Sequence, residues 1–168
     1  MEQIQRGNRR AFKKLFDHYS DYAHRIAFAI TKNSHDASDV VQETFIKVFR
    51  YAHTFDLKKP FQPWFYRILV NEANRLFQQR ADDAIQMETD KIDFFEQHQK
   101  LNEFDHLEIA LEKLSENERI ILVLKYVENF TEKEISLMLE LNVNTVKTRL
   151  YRARQKLKSI IERIDLND

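Results

Sequence analysis

Residues 131–158 read TEKEISLMLELNVNTVKTRLYRARQKLK. Thr131 stands three positions ahead of Glu134, the spacing at which a cap hydroxyl and a carboxylate satisfy the first free amides of a helix. The pattern predicts a short helix to about Leu139. A second helix starts near Asn142 and runs to about Ile164, with Val143, Val146, Leu150, Leu157 and Ile160 or Ile161 on one stripe. Short helix, tight turn and longer basic helix make a helix-turn-helix pattern. Off the stripe lie Asn144, Thr145, Lys147, Thr148, Arg149, Tyr151, Arg152 and Arg154. Lys and Arg neutralise phosphates or grip guanine, Asn and Thr read other base edges, and a helix N-terminus supports a phosphate. A basic helix can also be no more than a solvated face. The capped helix ahead of it shifts the reading toward duplex DNA. In the turn, Glu140 stands where glycine would reach positive φ without strain.

Working outward, LEIALEKL (107–114) reads as a helix. Ser115 with Glu118 forms a second capping box, ahead of the apolar run from Ile120 to Leu124. The first 80 residues are also helical in pattern. Ala11, Leu15, Tyr19, Tyr22, Ile26 and Ile30 recur every three or four positions, and Tyr19, Tyr22 and Phe28 are expected in the core. Ser34 is expected to cap a helix over about 35–52, with Val40, Val41, Phe45, Val48 and Phe49 as its apolar set. The stretch HTFDLKKPFQP (53–63) holds both prolines and predicts a loop. A third helix is expected from about Trp64 to Arg80, with Trp64, Ile68, Ala73, Leu76 and Phe77 inward. Residues 81–105 are acidic and weakly periodic, which predicts a linker between domains at 1–80 and 106–168. The expected fold is all-α, with two small helical domains: an N-terminal bundle and a C-terminal helix-turn-helix.

Composition narrows the function. The 168 residues include one Gly, two Pro and no Cys. So few turn residues argue against a sandwich or barrel. One glycine cannot build a phosphate loop. Without Cys there is no disulfide scaffold, thiolate metal site or Cys nucleophile, which fits a cytoplasmic protein. No apolar run approaches the roughly 20 residues that span a bilayer. The formal net charge is zero, with 27 basic and 27 acidic side chains. That total hides a distribution: residues 1–80 carry net +6, residues 81–111 net −7, and residues 141–164 net +6. Two basic blocks containing aromatics and amides are what a nucleic-acid binder presents.

Two further constellations carry chemistry. In DASDVVQETFIKVF (36–49), Asp39, Gln42, Glu43 and Ile46 share one helical face. An acidic-amide face suits a basic partner helix, although from spacing alone such a face is more often simply solvated. In 54–80, Phe55, Phe61, Trp64, Phe65 and Tyr66 interleave with Lys58, Lys59, Arg67, Arg75 and Arg80 and the amides Asn71, Asn74, Gln78 and Gln79. Rings for unstacked bases and cations for the backbone are what single-stranded nucleic acid requires. The six His are scattered without metal-ligand spacing, so no metal, cofactor or catalytic residue is expected.

These motifs, in this order, resemble a bacterial RNA polymerase sigma factor of the extracytoplasmic-function group. DASDVVQETFIKVF is similar to the family's core-polymerase-binding helix. FQPWFYRILVNEANRLFQQR (61–80) is similar to its −10 helix, and 112–158, with Thr-Val-Lys-Thr-Arg, to its −35-reading domain. The resemblance implies that Asp39, Gln42 and Glu43 dock on the β′ clamp helices of core polymerase, with the β flap as a further contact. It implies that Phe55 and Asn71 line a pocket for a flipped −10 base, with Lys58, Arg67, Asn74 and Arg75 along the strand. Asn144, Thr145, Lys147, Thr148, Arg149, Tyr151 and Arg152 would face the −35 major groove. The acidic linker would thread the RNA-exit path, and an anti-sigma factor, often membrane-bound, would hold the protein inactive. Departures from the family pattern are Asn74 and Gln78–Gln79 near the end of the −10 helix, and Glu140, Asn142 and Asn144 in place of a common Gly, Pro and Gly.

The expected function is promoter selection by RNA polymerase, including −10 melting, with no catalysis by the chain itself. The alternative is a helix-turn-helix regulator that binds duplex DNA without polymerase. Such a regulator needs neither the acidic-amide helix nor the aromatic segment. A helical adaptor would leave the basic last helix unexplained.

Overall fold

A computed structural model describes residues 1–86 and 103–165. All regular elements among the described residues are helical, as expected for an all-α chain. Helix α1 (Glu2–Gln5) leads through Gly7 into α2 (Arg9–Thr31), whose first amides are met by the Asn8 side chain. Helix α3 (Ser34–Tyr51) is capped by Asn33 and not by Ser34. The Asn33 backbone is extended, and its Oδ1 accepts from the amides of His35 and Asp36 at 2.9 and 3.1 Å.

A 3-10 turn (Ala52–Thr54) precedes α4 (Phe61–Gln86), which is longer than expected at both ends. Pro63 falls in the first turn, where a backbone N–H has no helical partner to lose. Beyond Arg80 the sequence ADDAIQ contains no breaker, so α4 continues through the start of the expected linker. The rest of that linker, 87–102, lies outside the described residues.

The C-terminal half comprises α5 (Glu103–Glu112), α6 (Glu116–Leu122) running on as a π turn (Val123–Val127), α7 (Glu132–Met138) and α8 (Val143–Asp165). Both capping signals are present. The Ser115 amide donates to Glu118 Oε2 at 2.9 Å. Thr131 and Glu134 exchange bonds of 2.9 and 3.2 Å. Asn142 Oδ1 accepts from the Asn144 amide at 2.8 Å and starts α8.

In the first half, Ile26, Ile30, Val40, Val48, Phe65, Tyr66 and Leu69 are fully buried between α2, α3 and α4. In the second, Ile120, Ile121, Leu124, Ile135, Met138, Val146 and Ala153 fill the space between α6, α7 and α8. Two expected core residues lie outside. Phe28 is partly exposed, with the Lys32 ammonium 5.6 Å from its ring centre, and Phe49 is 44% exposed. Phe28 sits two positions from both Ile26 and Ile30, which turns it to the opposite side of the helix.

The halves meet in one continuous apolar cluster. The Tyr66 ring meets Phe130 edge-on at 5.4 Å. Beside them the Glu128 carboxyl faces Tyr22 and Arg25 of α2 and Tyr66 of α4. Burial pushes Glu128 up from the usual carboxylate range, against the lowering effect of Tyr66, Tyr22 and Arg25. Burial, and then Glu128, push the Tyr66 phenol far up. The Tyr66 hydroxyl and Glu128 Oε1 are buried without a well-formed hydrogen bond, so proximity and not a good bond couples them.

Arg119, on α6, is 7% exposed. Its Nε donates to the Ile30 carbonyl at 2.9 Å, and its Nη1 to the carbonyls of Leu111 and Glu112 at 3.3 and 3.4 Å. Ile30 lies in the last turn of α2, where carbonyls lack helical partners and the helix end favours a cation. Lys156 on α8 reaches Glu118 at 2.7 Å. Partial burial opposes ionisation of Glu118, but the bonds from Lys156 and Ser115 hold its carboxyl below the usual range.

Arg119→Met removes a charged donor and leaves buried carbonyls unmet, so urea unfolding is expected to show a loss of about 2–3 kcal/mol. Glu128 gives a pH test. Its folded value lies above its unfolded one, so its contribution is full below the ordinary carboxylate range and is lost as pH rises through the raised value. At neutral pH, Glu128→Gln is expected to raise the urea midpoint. That advantage should shrink to nothing on acidification into the ordinary carboxylate range.

Candidate nucleic-acid interface

Helix α8 is seated by Val146, Leu150 and Ala153, all buried. Because these occupy one stripe, Asn144, Lys147, Thr148, Arg149, Tyr151 and Arg152 are exposed and Thr145 is half-buried. Asn144, Thr148 and Arg152 are spaced four apart on one row, with Lys147 and Tyr151 beside them. Thr148 Oγ1 donates to the Asn144 carbonyl at 2.9 Å, which holds the hydroxyl against the helix. Tyr151 is 58% exposed, a ring held out on a basic surface. Such a helix can enter a major groove, with cations for phosphates and amides for base edges.

On α4, Arg67, Asn71 and Arg75 are exposed and Asn74 is half-buried. The opposite face is locked by Phe65, Tyr66, Leu69, Val70 and Ala73. Glu72, only 2% exposed, holds Lys47 of α3 on one oxygen and Arg75 Nε at 2.9 Å on the other. It braces Arg75 and ties α4 to α3. Sequence reasoning missed it, although a Glu three positions ahead of an Arg on a helix is a recognisable pair. Arg80 reaches back to Asp36 of α3 in the same way.

Phe55, expected as a ring for an unstacked base, is 7% exposed. It packs on Trp64 at 5.0 Å and Phe61 at 6.1 Å. Gln5 of α1 donates to its carbonyl at 2.7 Å. Lys58 stands exposed in the loop, its amide bonded to Asp56 Oδ1 at 3.0 Å. Trp64, expected as core, is half-buried and backs Phe55.

On α3, Asp39 and Gln42 are exposed and Glu43 is half-buried. The structure adds an apolar groove of about 1070 Å³ beside them, lined by Phe12 and Phe16 of α2 and by Val41, Gln42, Ile46 and Phe49 of α3. Gln42 is therefore the polar edge of an apolar groove, a relation that spacing along α3 alone does not reveal. No group of three or more His or acidic residues among the described residues is arranged to hold a metal ion.

Known families match both halves of the chain. Residues 15–83 match the model of sigma-70 region 2, and residues 104–157 that of sigma-70 region 4. The chain is 33% identical to RNA polymerase sigma factor SigV of Bacillus subtilis, over 91% of its own length and 92% of the relative's. The chain belongs to the extracytoplasmic-function sigma factors.

The sigma factor is also 28% identical to SigW of Bacillus subtilis, over 94% of its length and 92% of the relative's. Among solved structures it is similar to CnrH, determined in complex with the cytosolic domain of CnrY, with a TM-score of 0.71 and 26% identity over 96% of this chain and 94% of that one. It is thus a transcription initiation factor of the RNA polymerase system, and the greater part of α8 and of α4 lies in the segments matched by regions 4 and 2. No helix among the described residues is long and apolar enough to cross a membrane.

Glu72→Ala tests the brace under the α4 face. Breaking a fully buried ion pair costs about 3–5 kcal/mol, but Lys47 and Arg75 both reach water here. Chemical denaturation is therefore expected to show a smaller loss, about 1–2 kcal/mol.

Proposed function

We propose that residues 1–80 act as the core-binding and −10-reading domain, 106–168 as the −35-reading domain, and the acidic segment 81–105 as their connection. The observation that carries this is one chain with two exposed polar faces, on α4 and α8, and an acidic-amide edge beside an apolar groove on α3. The β′ clamp helices would lie along Asp39, Gln42 and Glu43. Asn71 would take a flipped −10 base, with Lys58, Arg67, Asn74 and Arg75 along its strand. Phe55 would act from its packed position behind Trp64. The outer face of α8, from Asn144 to Arg152 and including half-buried Thr145 with Lys147, Thr148, Arg149 and Tyr151, would read the −35 duplex.

The chain performs no catalysis in this reading. It lends promoter specificity to the polymerase in the cytoplasm, contacts the β flap as well as the clamp, and helps melt the −10 element. Among the similar solved structures, the sigma factor RpoE is in complex with the anti-sigma factor NepR, and CnrH with the cytosolic domain of CnrY. An anti-sigma factor, membrane-bound or not, is proposed for this chain on that likeness. A regulator acting on duplex DNA alone would leave the α3 groove and edge without a use.

Reconstitution with core polymerase tests the reading. Run-off transcripts from a cognate promoter are expected only when the sigma factor is added, and failure to bind core polymerase would sink it. Lys147→Ala is expected to weaken −35 duplex binding and to lower the slope of log affinity against log salt by about 1. Asn71→Ala is expected to leave duplex binding intact and impair opening, read by permanganate reactivity of the −10 bases.

A further inference from the structure

Residues 6–14, RGNRRAFKK, hold five cations and no acidic residue. They precede residue 15, where the region 2 match begins, and the faces already described include none of them. All five cations are exposed. Arg6 is engaged by Glu2 and Lys13 by Asp17, each at 2.6 Å. Among the described residues no ion pair holds Arg9, Arg10 or Lys14. These three stand in the opening turns of α2, the end at which a helix disfavours a cation. Arg10 and Lys14, four apart on one row, also repel each other. Acidic residues open α3, α6 and α7 instead. Local rules broken on an exposed surface, with no packing gained, point to a partner.

The neighbours set the chemistry of that partner. Gln5 Nε2 donates to the carbonyls of Ala52 and Phe55 at 2.9 and 2.7 Å, so α1 sits against the loop before α4. The Phe12 ring meets Phe49 edge-on at 5.0 Å, and Phe55 packs on Phe61 and Trp64. The start of α2, the end of α3, the proline loop and the start of α4 therefore share one end of the N-terminal bundle. Arg50, Lys58 and Lys59 stand exposed at that end, again with no ion pair among the described residues. Lys59 lines one cleft with Arg67, whose guanidinium pairs with Glu140 from the turn before α8. The apolar groove on α3 is lined by none of the five cations of 6–14. Asn8, the one amide in the stretch, is occupied in capping α2. The surface thus offers positive charge and no group that reads a base edge.

We propose that Arg9, Arg10 and Lys14 form a second phosphate track, which carries the promoter single strand past the −10 element at the loop end of the N-terminal bundle. The proposal rests on the −10 assignment made above and extends it. Lys58 and Lys59 connect the α4 face to this track. Binding there is a matter of backbone charge, so it is independent of sequence and sensitive to salt.

Holoenzyme assembled on core polymerase is titrated with −10 single strands of a transcribed promoter. The strands are either bare or lengthened by about six nucleotides on one flank or the other, a length within single-strand site sizes. One variant combines Arg9→Gln, Arg10→Gln and Lys14→Gln. It is expected to bind the bare strand as the parent does, and to bind the strand lengthened on one of the two flanks about tenfold more weakly. On that strand the slope of log affinity against log salt is expected to fall by about 2, at roughly 0.7 for each phosphate neutralised. Scrambling the added bases should leave the difference between parent and variant unchanged. The urea midpoint of the variant is expected to equal or exceed the parent's, because the cations removed oppose the helix dipole. Equal responses of parent and variant to both lengthened strands would overturn the track, as would a difference that depends on the added bases. A lowered midpoint would assign the cations to the fold, and weakened assembly with core polymerase would assign them to a protein partner; either result overturns the proposal. If the parent fails to bind even the bare strand, the −10 assignment itself falls, and the track with it.

Discussion

A buried guanidinium governs the arrangement of the helices. Arg119 is almost fully out of water and forms no ion pair with a carboxylate among the described residues; carbonyl oxygens of the α2 end and of the α5–α6 junction meet its protons instead. A desolvated cation is tolerated only where its donors are met, and burial already pulls its ionisation down. That need fixes α6 at the C-terminal end of α2 and α5 beside both. With α6 placed, Phe130 reaches Tyr66 and the turn after α7 reaches Arg67. The relation between the two halves thus follows from where one arginine finds its acceptors.

Presentation of the two proposed reading faces follows a second rule. On α4 and α8 an apolar stripe decides which side is inward, and the polar residues are outward by default. What distinguishes α4 is Glu72, which spends a buried carboxylate on holding Arg75 and Lys47 in place. Among the described residues no ion pair holds Lys147, Arg149 or Arg152 of α8, and Arg154 donates to the Tyr126 hydroxyl at 3.3 Å, whereas Lys156 further along is held by Glu118. Long cations left free suit a duplex whose phosphates lie at varied positions, whereas a strand taken base by base rewards preset positions.

Much of the fold was legible in the sequence because its signals are local. The Thr131–Glu134 box, the Ser115–Glu118 pair and the stripe on α8 each need only a few neighbouring residues to take effect. Errors arose where two local solutions compete or where a partner is distant. Asn33 and Ser34 can each cap a helix; Asn33 prevails because its extended backbone carries Oδ1 to two amides. Phe49 fits an apolar stripe, yet among the described residues the Phe12 ring meets it from one side and leaves it 44% exposed. Phe55 reads as a free ring in a loop, but Trp64, Phe61 and Gln5 enclose it from elements up to 50 positions away.

By itself the sequence determined the all-α class, the helix-turn-helix and the two basic blocks behind a zero net charge, and its ordered motifs pointed to the family. Periodicity and capping are set within one or two helical turns, so they survive without knowledge of the rest. Only the tertiary structure decided that Arg119 joins α6 to α2, that Glu72 is a buried brace, that Gln42 borders an apolar groove, and that Glu140 lies on Arg67. Each depends on burial or on a partner across 25 to 89 positions of chain, and the Arg67–Glu140 pair spans 73. Such distances carry no periodic trace; they are settled when desolvated charges and apolar faces find the one packing that satisfies them together.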